Sequence, residues 1–324
     1  MKHITILVSQ GAILGNIEGP RQVFTEANQY LSSRGNQPMF EIHLAGNSKT
    51  SQLNDGLYTI TTEKFSDITK TDLIIIPAMY GDLLKAIEQN KDFIPWIVNQ
   101  YKQGAEVASL CLGAFLLAST GLANQRNIAT HWLAANAFRK MFPAVNLLED
   151  KIITDENGIY SSGGVYSSLN LVLYLVEKFA GRDTAVFCSK AFQIDIQRNS
   201  QSPFTIFIGQ KDHEDEPIKK AQEYIENHFA KKTTVDQIAT MVALSRRNLE
   251  RRFKKATSNT VVEYVQRVKI EAAKKNLETG RKNVNEVMFE AGYTDIKAFR
   301  TTFKRITGLS PIQYRTRYSR EHIV

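Results

Sequence analysis

The chain has 324 residues, 43% of them hydrophobic, and its two cysteines exclude a disulfide framework or a four-cysteine metal site. Two ordinary domains fit this length, no apolar run nears the roughly 18 residues of a membrane-spanning helix, and the first ten residues lack a signal-peptide core, so the expectation is a cytoplasmic protein with no membrane partner. The net charge of +8 is unevenly placed: residues 215–324 carry 23 basic against 13 acidic side chains, whereas residues 1–214 carry 18 against 20.

From the start, short apolar or β-branched runs alternate with helical spacing. "ITILV" (4–8) precedes a helical pattern at about 20–31, "FEIHLA" (40–45) and "LIII" (73–76) precede one at 82–102, and "VASL" (107–110) precedes one at 112–119. This predicts an α/β domain with a mainly parallel, flavodoxin-like sheet covered by helices. Such sheets bind ligands beyond the carboxyl ends of their strands, where "VASL" delivers Cys111. A thiol at a strand-to-helix turn is exposed and favoured as thiolate; the alternative is a small buried residue that helps a tight turn. Trp132, beside His131, reads as packing and Cys188 as a core residue of a connecting helix, while Asn170, Tyr174 and Glu177 share a helix without a functional signal. His213, in "QKDHEDEPI", reads as solvated linker.

The basic third contains a duplication. "TTVDQIATMVALSRRNLERRFKKATSNTVVEY" aligns with "NVNEVMFEAGYTDIKAFRTTFKRITGLSPIQY" at an offset of 50, pairing Leu249 with Phe299, Phe253 with Phe303 and Tyr264 with Tyr314. Each copy predicts a short helix capped at Thr233 or Asn283, with Asp236 or Glu286 completing a capping box. Ile238, Ala239 and Val242, or Val287, Met288 and Ala291, face inward, and after a turn Ser245 or Asp295 caps a second helix. In those second helices Leu249 and Phe253, or Phe299, Phe303 and Ile306, form the core face. Arg247, Glu250, Arg251 and Lys254 form the opposite stripe in one copy, and Lys297, Arg300, Thr301 and Lys304 in the other. Helix, turn and basic helix, twice over, is an arrangement suited to successive major grooves of double-stranded DNA.

These motifs resemble the AraC/XylS family of transcription regulators across residues 217–318, most specifically in "SRRNLERRFKKAT" and "EAGYTDIKAFRTTFKRITGLSPIQYR". The resemblance implies an all-α domain of two helix-turn-helix units joined by a long helix, here about Val261 to Glu278. It places base contacts at Arg246, Arg247, Glu250 and Arg251 and at Ile296, Lys297, Arg300 and Thr301, with Lys254 and Lys304 beside them. The first copy departs from the family in carrying Ser258 and Val261 where the second has Gly308 and Pro311, and Thr301 stands where Arg is frequent.

Residues 1–185 resemble the PfpI-like, class I glutamine-amidotransferase-like superfamily, most specifically in "CLGAFLLASTGLANQRNIATHW" and "SSGGVYSSLNLVLYLVEKFAG". The resemblance puts Cys111 at the nucleophile position and His131 beside it. However, Asn16 replaces the acid that tunes the thiol, with Glu18 two residues away, and Ala78-Met79 replaces the Gly-Gly of the oxyanion loop. The implied domain order is a sensing and dimerising domain over 1–185, a connecting helix and linker over 186–216, the DNA-binding domain over 217–318 and a tail over 319–324. The expected partners are DNA, a small-molecule effector such as an amino-acid or amine derivative, RNA polymerase and a second copy of the chain. No metal or cofactor is expected. Asn16, Cys111 and His131 are the effector-pocket candidates. Alternatives are a DNA-tethered cysteine hydrolase or lyase using Cys111, a domain that only dimerises, and a redox sensor.

Overall fold

The computed structural model describes residues 1–196, 200–280 and 282–319, and the chain divides into two units between Gln201 and Ser202. In the first unit, residues two apart share a strand face. Within β1 (Lys2–Leu7), Ile4 and Ile6 enter one core and Leu7 another. After α1 (Gly15–Ser33) come β2 (Phe40–Gly46), a hairpin of β3 (Thr50–Leu53) and β4 (Tyr58–Thr61), and a short β5 (Glu63–Lys64). The "LIII" run forms β6 (Leu73–Ile76), in which Leu73 and Ile75 join the first core, and Ile74 and Ile76 the second. A strand covered on both faces is continuously apolar for this reason.

α2 (Leu83–Gln89) and α3 (Phe93–Lys102) lead to β7 (Glu106–Leu110) and α4 (Ala114–Ser119). Then follow β8 (Asn127–Ile128), α5 (Ala135–Met141), β9 (Asn146–Leu147), β10 (Ile153–Glu156), β11 (Ile159–Ser162), α6 (Ser168–Ala180) and α7 (Arg182–Ala191). The main sheet has the order β10-β11-β7-β6-β1-β2-β5, parallel throughout except for the β10–β11 pair. Helices α1, α6 and α7 cover one face, and α2 to α5 the other.

Two predicted helices differ in extent. The one expected at 82–102 breaks at Asn90, whose side chain donates to the Gln10 and Ala86 carbonyls and accepts from the Gln10 amide. Restarting at Phe93 puts Pro95 in the first turn of α3, where a missing N–H costs nothing. Conversely, α1 begins at Gly15, ahead of Pro20. Gly19 precedes that proline and has no Cβ to oppose the helical conformation, and a Cβ there would lie 2.9 Å from Leu169.

The second unit is helical. α8 (Glu216–His228) is followed by α9 (Val235–Met241) and α10 (Arg246–Thr257), then α11 (Val261–Glu278) and α12 (Val284–Glu290). α13 (Ile296–Thr307) and α14 (Pro311–Tyr318) complete it. Val261 and Tyr264 of α11 pack with Ile238, Leu249 and Phe253, while Ile270, Ala273 and Leu277 pack with Val287, Phe299 and Phe303. One helix therefore belongs to two small cores and fixes the two helix-turn-helix units to each other. Ile306 is only half-buried, at the margin of the second core.

The duplication is not gapless. The first cap is Thr234, boxed with Gln237, rather than Thr233 with Asp236, whereas Asn283 and Glu286 form the box expected of them. The offset is thus 49 through the first helices and turns, where Ala243 (φ +53°) matches Gly292 (φ +74°), and becomes 50 at Ser245 and Asp295. Thr294 is the extra residue. Ser258 takes a left-handed φ of +58° where Gly308 has +74°, and α11 and α14 both follow with capping boxes, so the Gly and Pro missing from the first copy do not alter its turn.

The segment read as a connector is shared. α7 packs on α1 and α6 in the first unit, whereas residues 202–216 lie in the second. His213 is not simply solvated, since its ring pairs with Gln222 at 2.9 Å and accepts from the Asp215 amide at 3.2 Å. Cys188 is fully buried against the Val23 carbonyl. Beyond Ser319, the tail lies outside the described residues.

Candidate functional site

In α10 the Ser245 hydroxyl accepts from the Asn248 amide, and Leu249, Phe253 and Thr257 turn inward. That orientation leaves Arg246, Arg247, Glu250, Arg251 and Lys254 exposed. Arg247, Glu250, Arg251 and Lys254 line one groove of about 700 Å³ with Thr260 and Val262 at the start of α11. Arg246 pairs with Asp236 at 3.2 Å and Glu250 at 3.1 Å, and Arg251 donates to Asn248 at 3.0 Å. Such exposed pairs are weak because water screens them, so an approaching phosphate or base edge can displace them.

Arg252 differs from its neighbours. It donates at 2.9 and 2.6 Å to Asp215, which caps α8, and this guanidinium holds the Asp215 carboxyl below the ordinary carboxylate range. The basic run therefore mixes groove-facing and structural arginines. Sequence spacing places Arg252 between the apolar and polar faces but does not show its partner, which lies 37 residues away.

α13 repeats the arrangement. Asp295 accepts from the Ala298 amide, Phe299, Phe303 and Thr307 are buried, and Lys297, Arg300, Thr301 and Lys304 are exposed. Among the described residues these four side chains have no hydrogen-bond or ionic partner. Ile296, expected among the base contacts, is half-buried against the second core because it sits one position inside the capped end of the helix.

The carboxyl edge of the sheet in the first unit holds the other candidates. Cys111 follows β7 with a φ of +52°, an unusual backbone for a residue with a side chain, so the sharp elbow is present. Gly113 permits it: a Cβ there would lie 2.5 Å from the Ile76 carbonyl oxygen and 2.6 Å from that of Pro77. The thiol is fully buried, and although the Leu112 and Gly164 amides favour the thiolate, burial outweighs them and pushes the thiol up to about 12. The expected activation by the helix terminus is therefore reversed.

Asn16 is buried as well. Its amide donates at 3.0 Å to the Val165 carbonyl and to Ser168, while its Oδ1 has no partner. Asn16 and the thiol thus meet the same turn, 163–168. His131 caps a single turn, Trp132–Ala134, by accepting from the Leu133 amide at 3.2 Å, and burial lowers its pKa. No hydrogen bond joins it to the thiol among the described residues; the link is Thr130, whose hydroxyl donates to the Cys111 carbonyl. The altered oxyanion loop is also occupied: the Ala78 carbonyl accepts from the Ile13 amide, and Met79 Sδ faces the Asn90 amide group.

An open cleft lies nearby. β1 sits between β2 and β6, so the chain leaves it in one direction and returns on the other side, which creates a crevice at the carboxyl ends. The crevice has a volume of about 650 Å³, and Ser9, Gln10, Ser51, Asp55, Asp82 and Lys85 are among its walls. Asn16, Cys111 and His131 are not lining residues. Ser9 contributes a buried hydroxyl without a partner, which a bound molecule could satisfy. Sequence reading missed this cleft because three separate segments build it and none carries a motif.

The profile of the DJ-1/PfpI family matches residues 2–178, and that of a helix-turn-helix domain matches residues 238–317. The HTH-type transcriptional regulator GbdR of Pseudomonas aeruginosa is 25% identical over 269 residues, which cover 80% of this chain and 70% of that one. The HTH-type transcriptional regulator CdhR of the same species is 22% identical over 263 residues, or 81% and 77% of the two chains. Among solved structures, an AraC family transcriptional regulator from Pseudomonas putida superposes with a TM-score of 0.52 and 13% identity, covering 59% of this chain and all of that one.

Proposed function

Because the chain belongs to the DJ-1/PfpI family and is, through its helix-turn-helix domain, a DNA-binding transcription regulator of the AraC type, we propose that its first unit is a sensor and not an enzyme. The carrying observation is the pair of capped helices, α10 and α13, whose basic faces are exposed at equivalent positions while their apolar faces share the cores joined by α11. Arg246, Arg247, Glu250 and Arg251 of the first helix, with Lys297, Arg300 and Thr301 of the second, read bases; Lys254 and Lys304 hold phosphates. Two copies pair through their first units, and the effector shifts the population of DNA-competent dimers. RNA polymerase is the onward partner.

The effector binds in the cleft over β1 and β6, in our reading, and not at Asn16, Cys111 and His131, which do not line it. A zwitterion fits the charges there, its carboxylate toward Lys85 and its ammonium toward Asp55 or Asp82, which supports an amino-acid or amine derivative. An enzymatic reading needs an available thiolate and a base in contact with it, and a buried, protonated Cys111 apart from His131 supports neither.

Thermal-shift screening of the full chain against amino acids and amines tests the sensor. A hit should raise the melting temperature and change DNA affinity, and Lys85→Ala should weaken it at least tenfold while Cys111→Ser preserves it. A hit that Cys111→Ser abolishes and Lys85→Ala leaves unchanged would move the effector to the thiol.

A further inference from the structure

The outer end of the β1–β2 pair carries a cluster that neither DNA nor effector binding uses. Parallel register sets His3 beside Glu41 and Thr5 beside His43, so His3, Glu41 and His43 share one face of the sheet. Each offers a ligand atom, and these atoms lie within 4.8 Å of one another. The rings of His3 and His43 stack at 5.8 Å, and Glu41 spans both.

Distances separate bonded partners from co-ligands. His43 Nδ1 lies 2.8 Å from Glu63 Oε1 on β5, an ordinary charge-assisted hydrogen bond. His3 Nδ1 to Glu41 Oε2 is 3.5 Å and His43 Nε2 to Glu41 Oε1 is 3.6 Å, too long for such a bond. A zinc ion bound at about 2.0–2.2 Å in a tetrahedron holds neighbouring donors about 3.3–3.6 Å apart. Each carboxylate oxygen of Glu41 therefore stands from one imidazole nitrogen at the spacing of shared metal ligands. Glu63 supplies the outer contact that metal-binding histidines usually have: it fixes the ring and leaves Nε2 directed at Glu41. Two imidazoles and one carboxylate suit a first-row divalent ion such as zinc better than calcium or magnesium, which prefer all-oxygen sites.

We propose that His3, Glu41 and His43 bind one divalent transition-metal ion, with Glu63 orienting His43. Water completes the tetrahedron, and the ion ties β1 to β2 and, through Glu63, to β5. All four residues are partly or fully exposed, so their substitution spares the core.

The test is titration of the metal-stripped full chain with Zn²⁺ in competition with a chromophoric chelator at pH 7.5. The chain should take up one equivalent, and Zn²⁺ should raise its melting temperature. His3→Ala and His43→Ala should each weaken uptake at least tenfold and remove the thermal shift, while Glu63→Gln should weaken it about ten- to a hundredfold. His228→Ala, a substitution in α8, should change nothing. No uptake by the parent chain, or equal uptake by the parent and His43→Ala, would overturn the proposal.

Discussion

Raising monovalent salt from 50 to 200 mM should weaken binding of the full chain to a DNA duplex by about a thousandfold. Six cations on the recognition helices, Arg247, Arg251, Lys254, Lys297, Arg300 and Lys304, are exposed and form no ion pair among the described residues. If each releases one condensed counterion, the logarithm of affinity falls about 5 units per tenfold rise in salt, or about 3 units for a fourfold rise. Arg246 is left out because Asp236 and Glu250 stand beside it and offset its charge in the count even where a base edge displaces their contacts. Fluorescence anisotropy at several salt concentrations gives the slope. A loss below tenfold would mean that these cations enter neither the grooves nor the phosphate field of the DNA, whether as base readers or as phosphate contacts.

Native Cys111 should react with a thiol reagent at pH 8 about a thousandfold more slowly than the same cysteine in the unfolded chain. Burial moves its pKa from 9.0 to about 12, leaving about a thousandth of the ordinary thiolate, and the side chain has no exposed surface for a reagent to reach. Cys188 is buried too and pushed up to about 11, so a Cys188→Ala background isolates the signal. Rates in buffer and in denaturant, with amide, ester and α-oxoaldehyde substrates assayed in parallel, make the comparison. A native thiol that reacts as fast as the unfolded one, or steady turnover that needs Cys111, would restore the catalytic reading.

The sequence was most informative where periodicity and chemistry coincide. "LIII" and "VASL" became β6 and β7 because a strand buried on both faces must be apolar, and α11 runs from Val261 to Glu278 as the family resemblance implied. Leu249, Phe253, Phe299 and Phe303 are core because i,i+4 spacing puts them on one side of a helix whose other side is charged. What stayed hidden depends on contacts between distant segments. The pairing of Arg252 with Asp215, the break at Asn90 imposed by Gln10, and the sealing of Cys111 by the turn after β11 are all of this kind. The one-residue slip at Thr294 was hidden for another reason: Ala243 adopts a left-handed conformation that a glycine would have announced.

The proposed role of α10 is to read base sequence as well as phosphate. It is tested most directly by titrating the full chain, Arg251→Ala and Lys254→Ala against a duplex selected from a randomised pool and against its scrambled counterpart. Arg251→Ala should cost about 1–3 kcal/mol on the selected duplex and much less on the scrambled one, whereas Lys254→Ala should weaken both alike. Equal losses on the two duplexes for Arg251→Ala would contradict base reading by α10.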